Sequence, residues 1–489
     1  MKRLIFFKSF CLILILLFTT AQLFCSSQET GKIPITTQSK EALADFETGR
    51  NLFESLQAQE SLKHFEQAIQ KDPDFALAYV YYSQAQPTLK GFFAQLNKAY
   101  SLKEKVSDGE KLWIEGLKAG GDGFPMKQRE FYQKLVQLYP NDERAHNLLA
   151  TNYFATQEYQ TAIEYYNKAT LINPQFSQAY NQLGYAYRFL KNYQESEKAF
   201  QKYIQLIPDD PNPYDSYAEL LMKIGKYDQS IEQYKKALQV NPNFVASHIG
   251  IATNLNFKEE HAKAREQLQT LLSIARNNGE KRAAHFAMTV SLIDEGLLDL
   301  AIEEMQKQFK LAESINDYAN MSGDLAFMGT IRYEQGQFEE AQKYYDQALK
   351  VIESSDLSSE VKDNNRRVLL YNAGRVAIAK NDLVKAKNLT AELQKQAGLV
   401  NNTFQLWLVH ELAGTISMAE KRYADAVDEY LLANLQNPYN LYRLALAYQA
   451  MEDKTSAREY CQQAADHNTL NNPQYSFIRH KAKTMLATM

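Results

Sequence analysis

Four prolines, Pro140, Pro174, Pro208 and Pro242, stand 34 residues apart, and the blocks they close overlay without a gap. Self-similarity at this period predicts stacked helical hairpins, because no single block can bury its own apolar face. Counting back 24 positions from each proline reaches a small residue: Gly116, Ala150, Gly184 and Ala218. Twelve residues after it come Gln128, Ala162, Ser196 and Ser230, and sixteen after it come Tyr132, Tyr166, Phe200 and Tyr234. Small residues at fixed places predict two helices that cross closely, with the aromatic ring filling the space beside the crossing. Each proline is expected to start the next helix, where its missing N–H costs nothing.

The stretch Ala179-Tyr180-Asn181-Gln182-Leu183-Gly184-Tyr185-Ala186-Tyr187, followed by Tyr193, Ser196, Phe200 and Pro208, resembles the tetratricopeptide repeat. The frame extends both ways with loosening fidelity. Upstream, Gly49, Ser61, Phe65, Ala68 and Pro73 form a good block, whereas Pro87 interrupts the first helix of the block around Ser83. Downstream, Ala252/Ala264, Thr289/Ala301, Gly329/Ala341, Gly374/Ala386, Gly414/Ala426 and Ala445/Ala457 hold the two small slots. The expected fold is all-α, a superhelical solenoid of about twelve antiparallel hairpins. The expected divisions are a leader at 1–27, a flexible linker at 28–40, divergent hairpins at 41–140 and the regular block at 141–276. Longer divergent hairpins follow at 277–470, and a capping helix at 471–489 closes the chain.

Lys2, Arg3 and Lys8 precede an apolar run from Phe10 to Phe18, the layout of a secretory signal peptide and short for a membrane span. Cleavage after Ala21 or Ser27 fits a small-x-small preference. Cys25 opens a lipid-anchor alternative, although Phe24 stands where a bacterial lipobox carries a small residue; an uncleaved leader is the third alternative. The expectation is an exported bacterial protein, periplasmic or secreted, that meets membrane only through such an anchor. The formal charge is −4, and −7 without the three basic leader residues, with no basic stripe of the kind nucleic acid requires. Cys461 is the single cysteine beyond the leader and occupies an aromatic packing slot, so it reads as a buried small hydrophobe.

Candidate chemistry reduces to repeat structure. His410-Glu411 lacks the second histidine of a metalloprotease helix, and Gly414 beside it is a packing residue. Ala119-Gly120-Gly121-Asp122-Gly123 lacks the Lys-Ser/Thr of a phosphate loop and falls at a hairpin turn. Pro208 to Asp215 gathers three carboxylates but too few regularly spaced oxygens for calcium, and reads as a loop with Asn212 capping a helix from Pro213. His146, His248 and His410 share one slot and read as packing histidines. Most of the 31 tyrosines fall on packing positions. No catalytic residue, metal site or cofactor is expected.

The resemblance implies that the first helix of each hairpin lines a concave groove. Its inward residues are Arg144, Asn147, Thr151 and Phe154, then Gln178, Asn181, Tyr185 and Arg188, then Asn212, Asp215, Glu219 and Met222. Repeated carboxamides can grip a peptide backbone without choosing its sequence, since each both donates and accepts; the bland alternative is a solvated polar face. The Lys/Arg clamp that chaperone-binding members use for a terminal carboxylate is missing, its places held by Asn147, Thr151, Gln182, Asn212 and Ser216. Later inner faces turn apolar, with Phe286, Val290, Ile293, Tyr371, Ile378, Tyr439, Tyr442 and Leu446, so either a partner or the superhelix itself covers them. The polar stretch 354–365 is expected to lengthen a loop at the groove's lip. The function so implied is a non-enzymatic scaffold of the cell envelope that binds a protein or peptide; the alternative is a ligand- or peptide-sensing regulatory module.

Overall fold

The structure, a computed structural model, describes residues 31–489; the expected leader and Cys25 lie outside them. Among the described residues there are twenty-five α-helices and no strand. Hairpins one to three pair Lys40–Glu54 with Ala58–Lys71, Ala76–Ala85 with Leu89–Ser101, and Asp108–Gly121 with Pro125–Leu138. Hairpins four to seven pair Glu143–Ala155 with Tyr159–Ile172, Ser177–Phe189 with Tyr193–Leu206, Pro211–Lys223 with Tyr227–Val240, and Val245–Phe257 with His261–Ile274. Hairpins eight and nine pair Asn278–Asp294 with Leu298–Glu313 and Tyr318–Glu334 with Phe338–Glu353. Hairpins ten to twelve pair Ser359–Ala379 with Leu383–Leu399, Thr403–Ala419 with Tyr423–Leu432, and Pro438–Ala450 with Lys454–Ala465. A tail helix, Pro473–Thr488, follows.

The small slots work as the spacing predicts. A Cβ built on Gly116 would lie 2.3 Å from the Tyr132 ring, on Gly184 2.5 Å from Phe200, and on Gly414 2.6 Å from Tyr430. Those rings are fully or almost fully buried. The second small slot adds a hydrogen bond across the crossing: Ser196 Oγ donates to the Gly184 carbonyl and Ser230 Oγ to that of Ala218, each at 2.7 Å. Gly49 and Gly329 meet Phe65 and Tyr345 in the same way, while Gly374, whose block has Thr390 in the aromatic slot, meets Leu412 of the next hairpin.

The prolines act differently from the expectation. Pro140, Pro174, Pro208 and Pro242 do not begin helices; the next helices start at Glu143, Ser177, Pro211 and Val245. They end the preceding ones. Tyr139, Asn173, Ile207 and Asn241 are forced out of the helical region, with φ between −126° and −139°, as the residue before proline must be. Each proline leaves its carbonyl free to accept a bond. His146 Nε2 bonds that of Pro140 at 2.8 Å, Tyr214 OH that of Pro208 at 3.0 Å, and His248 Nε2 that of Pro242 at 2.9 Å. The shared histidine slot is thus structural at these two hairpins. His410 instead bonds Glu429.

Three further expectations are corrected. Asp210, not Asn212, caps the sixth hairpin, with its carboxylate accepting from the Asn212 N–H, and the helix starts at Pro211. The stretch 354–365 mostly extends the 21-residue helix Ser359–Ala379, which Ser358 caps. The described part of the linker, 31–39, is docked: the Ile33 N–H donates to Asp142, the Thr36 N–H to Glu110, and the Ile33 and Ile35 side chains pack on the first core.

The superhelix is tight enough to meet itself after seven to eight hairpins. The turn of hairpin one touches the start of hairpin eight, where Arg276 pairs with Glu60 and Asn277 bonds Gln59. Gly279 is needed there, since a Cβ would lie 2.4 Å from the Pro87 carbonyl oxygen. Lys90 reaches the Ile315 carbonyl, Gln157 reaches Asn434, and Lys191 reaches Gln463. The tail helix covers the end of hairpin twelve, burying Cys461 against Tyr475, Ile478 and Ala482. It also reaches across the turn: buried Arg479 grips buried Asp294 at 2.9 and 2.6 Å. The cap is therefore also a clasp.

Candidate partner groove

The first helices of hairpins four to six carry the inward residues named from the sequence, and the structure brings them into one contiguous strip. Asn147 Nδ2 donates to Gln178 Oε1 at 3.1 Å, joining hairpins four and five. Tyr185 OH donates to Glu219 at 2.9 Å and Arg188 pairs with Glu219 at 3.0 Å, joining five and six. Asp215 accepts from Ser247 at 2.7 Å, joining six and seven. Asn212 of hairpin six donates to Tyr203 OH of hairpin five at 2.6 Å. Arg144 forms a bidentate pair with Glu54 of hairpin one at 2.8 and 2.9 Å, which closes the groove at that end.

The strip is not a solvated polar face. Asn147, Asn181, Arg188, Asn212, Asp215 and Met222 are buried; Arg144, Phe154, Gln178, Tyr185 and Glu219 are half-buried; Thr151 alone of the twelve is open. Phe154 stands edge-on to Phe189, which stacks on Tyr159. Burial, and then the nearby Glu219, pushes the Asp215 carboxyl up to about 8, with the Ser247 hydroxyl opposing. The same burial and Glu219 push the Tyr185 phenol well above its usual range. Two acceptors are left over: the carboxamide oxygens of Asn147 and Asn181 are buried without a donor among the described residues.

Of the later inner-face residues, Val290 and Ile293 are buried, while Phe286, Tyr371, Ile378, Tyr439, Tyr442 and Leu446 are half-buried. Glu334, Arg375, Glu411 and Arg443, from four successive first helices, interlock. Arg375 lies 4.1 Å over the Tyr333 ring and 3.4 Å from Glu334, Arg443 pairs with Glu411 at 2.5 Å, and Tyr371 and Tyr439 donate to Glu411 and Glu334. Burial would raise the Glu411 carboxyl, but Arg443 and Tyr371 hold it below its ordinary value. The His410-Glu411 pair is thereby absorbed by packing. These ion pairs, and the Arg479–Asp294 clasp, were not read from the sequence; the only available signal was charge at slots otherwise apolar or aromatic.

Family comparisons fall on these hairpins. Residues 143–176, 177–210 and 325–354 match descriptions of the tetratricopeptide repeat, as do 439–468, and 218–252 match a TPR repeat. The chain carries tetratricopeptide repeats. Their fold is the all-α solenoid described above, and proteins built from them bind protein partners. No curated protein compared with the chain matches it. Among solved structures, tetratricopeptide-like neighbours include the MamA protein, 22% identical over 34% of this chain and 91% of that one, with a TM-score of 0.29. Another is MamA from residue 41 to its end from Desulfovibrio magneticus RS-1, 15% identical over 34% of this chain and 95% of that one, with a TM-score of 0.30.

Proposed function

We propose that the chain is a non-enzymatic scaffold of the bacterial cell envelope that holds an extended segment of a partner protein on the inner face of hairpins four and five. One observation carries this reading. The strip around Thr151, Phe154, Gln178 and Tyr185 stays partly open, with Thr151 exposed, whereas the charged inner-face residues of hairpins nine to twelve are taken up by one another. The exposed Thr151 hydroxyl and the half-buried Gln178 carboxamide, which Asn147 holds in place, support it, because each can donate to and accept from a peptide backbone. Export rests on the leader's layout alone, and membrane contact is proposed only through a lipidated Cys25 or an uncleaved leader.

The test is crosslinking in the native envelope with identification of the partner, followed by recovery with the Asn147→Ala/Asn181→Ala double variant. The expected result is a melting temperature within a few degrees of wild type and a loss of recovery of about ten-fold. Undiminished recovery by the folded variant removes the groove from the reading. The alternative, a ligand-sensing module, is favoured by a separate feature at the seam of the superhelix.

A further inference from the structure

Where the second superhelical turn closes over hairpins five and six, it leaves a cavity of about 460 Å³. One wall comes from hairpins five and six, the other from hairpin twelve and the segments on either side of it. The cavity gathers positive charge in a chain whose net charge is −4. Arg188, Lys191 and Lys223 line it, against a single carboxylate, Asp466, which is exposed and accepts from Gln462.

Of these cations, Lys223 is the poorly matched one. Arg188 shares Glu219 with Tyr185, and Lys191 finds only the carboxamide of Gln463 at 3.2 Å. Lys223 donates to the His467 carbonyl and to nothing else among the described residues, so two of its three N–H groups have no protein acceptor. Lys223 is half-buried, and an ammonium partly withdrawn from water without a counter-ion is disfavoured. The groups facing Lys223 are Arg188 and Lys191 on hairpin five, Asp466 and the buried His467 across the seam, and Glu219 one turn earlier on its own helix. Burial, then Arg188 and Lys191, bring the Lys223 amine down to about 7. Burial, then Lys223 and Arg188, hold the His467 imidazole well below its ordinary range. A bound anion would relieve all of these at once. Phe189, Tyr193 and Tyr460 supply flat apolar walls beside the charges, and the volume lies within the usual range for small-molecule sites.

We propose that this seam cavity binds a small aromatic acid, its phosphate or carboxylate held by Lys223 with Arg188 and Lys191 and its ring against Phe189, Tyr193 and Tyr460. The site shares Arg188 with the partner groove but needs no partner bound there. Because its two walls belong to successive superhelical turns, the ligand ties those turns together and stabilises the closed superhelix.

Calorimetry and thermal melting of the full chain, at fixed ionic strength, test this with phenyl phosphate and benzoate; phenol and inorganic phosphate serve as the single-feature controls. Saturable binding of phenyl phosphate or benzoate with a raised melting temperature is expected. Binding at pH 7 should take up protons, seen as an enthalpy that depends on the buffer, because the anion returns Lys223 to its charged form. Lys223→Met should melt at or above wild type when empty, since a stranded charge is gone, and bind about 10- to 100-fold more weakly. Lys191→Asn, at an exposed left-handed position that asparagine suits, should lose about three-fold. Failure of both aromatic acids to bind at about 10 mM overturns the site. So does Lys223→Met binding like wild type; should that variant not fold, wild-type affinity in Lys191→Asn together with no proton uptake overturns it as well. Inorganic phosphate binding as tightly as phenyl phosphate overturns the aromatic part of the assignment.

Discussion

The clasp between the tail helix and hairpin eight can be broken at one side chain. Arg479 is 1% exposed and Asp294 3% exposed, and the guanidinium makes two parallel bonds to the carboxylate. It also pairs with Glu259 at 2.9 Å and lies over the Phe257 ring. Arg479→Met keeps most of the stem's packing but strands Asp294 with His261, 2.9 Å away, as its remaining partner. Removing one member of a buried pair costs about 3–5 kcal/mol; with His261 retained, the expected loss is about 3 kcal/mol. Adding Asp294→Asn removes the stranded charge and should recover about 2 kcal/mol of that loss. Arg366→Met, at an exposed pair with Glu353, is the control and should cost less than about 1 kcal/mol. Burial would raise the Asp294 carboxyl, yet the bonds from His261 and Arg479 hold it below its ordinary value. Its contribution is therefore intact above about pH 4 and fades as pH falls further. Solenoids unfold in parts, so amide exchange of 473–488 and 278–294 is read beside urea unfolding. Arg479→Met with unchanged protection in both segments would refute the clasp.

Two other perturbations test the packing and the groove. Gly184→Ala should stay within about 1 kcal/mol of wild type, since better helix propensity offsets a small ring shift and Ala150 and Ala218 already fill this slot. Gly184→Leu should cost about 3 kcal/mol by driving atoms into buried Phe200; urea unfolding that ranks Leu with Ala would sink the crossing argument. Asp215, its carboxyl raised to about 8 against about 4 when unfolded, favours folding below pH 4 and loses that favour as pH rises toward 8. Asp215→Asn should match wild type within about 1 kcal/mol at pH 4 and exceed it by on the order of 2–4 kcal/mol at pH 8; parallel pH–stability curves would contradict this.

What was legible in the sequence was local. Gly184, Ser196 and Phe200 interact within one hairpin, so a 34-residue frame identifies them, and Asn147 and Asn181 recur at one slot of that frame. The misread prolines and the cap at Asp210 were local as well. An X-Pro step ends a helix as readily as Pro at N1 begins one, and Asp210-Pro211 carried the better start signal. The clasp and the seam were not legible. Arg144 meets Glu54 over 90 residues, Arg479 meets Asp294 over 185, and Lys223 meets His467 over 244. Those meetings depend on a small rotation per repeat summed over three to seven hairpins, which no single repeat encodes.

That summed rotation also limits what the groove can hold. Arg144 is committed to Glu54, Asp294 to Arg479, and Glu334 and Glu411 to Arg375, Arg443 and two tyrosines. The inner face left for a partner spans hairpins four and five and the near edge of six. Neighbouring helices pack about 8–10 Å apart, so this stretch is about 20 Å long and takes about six residues of extended chain. A longer partner would have to enter from hairpin eight and displace the tail helix, against the Arg479–Asp294 pair. Short peptides should therefore bind wild type and Arg479→Met alike, whereas a segment that needs the displaced tail's place should bind Arg479→Met more tightly. Equal affinities for the longer segment would mean that the tail helix and the partner occupy different ground.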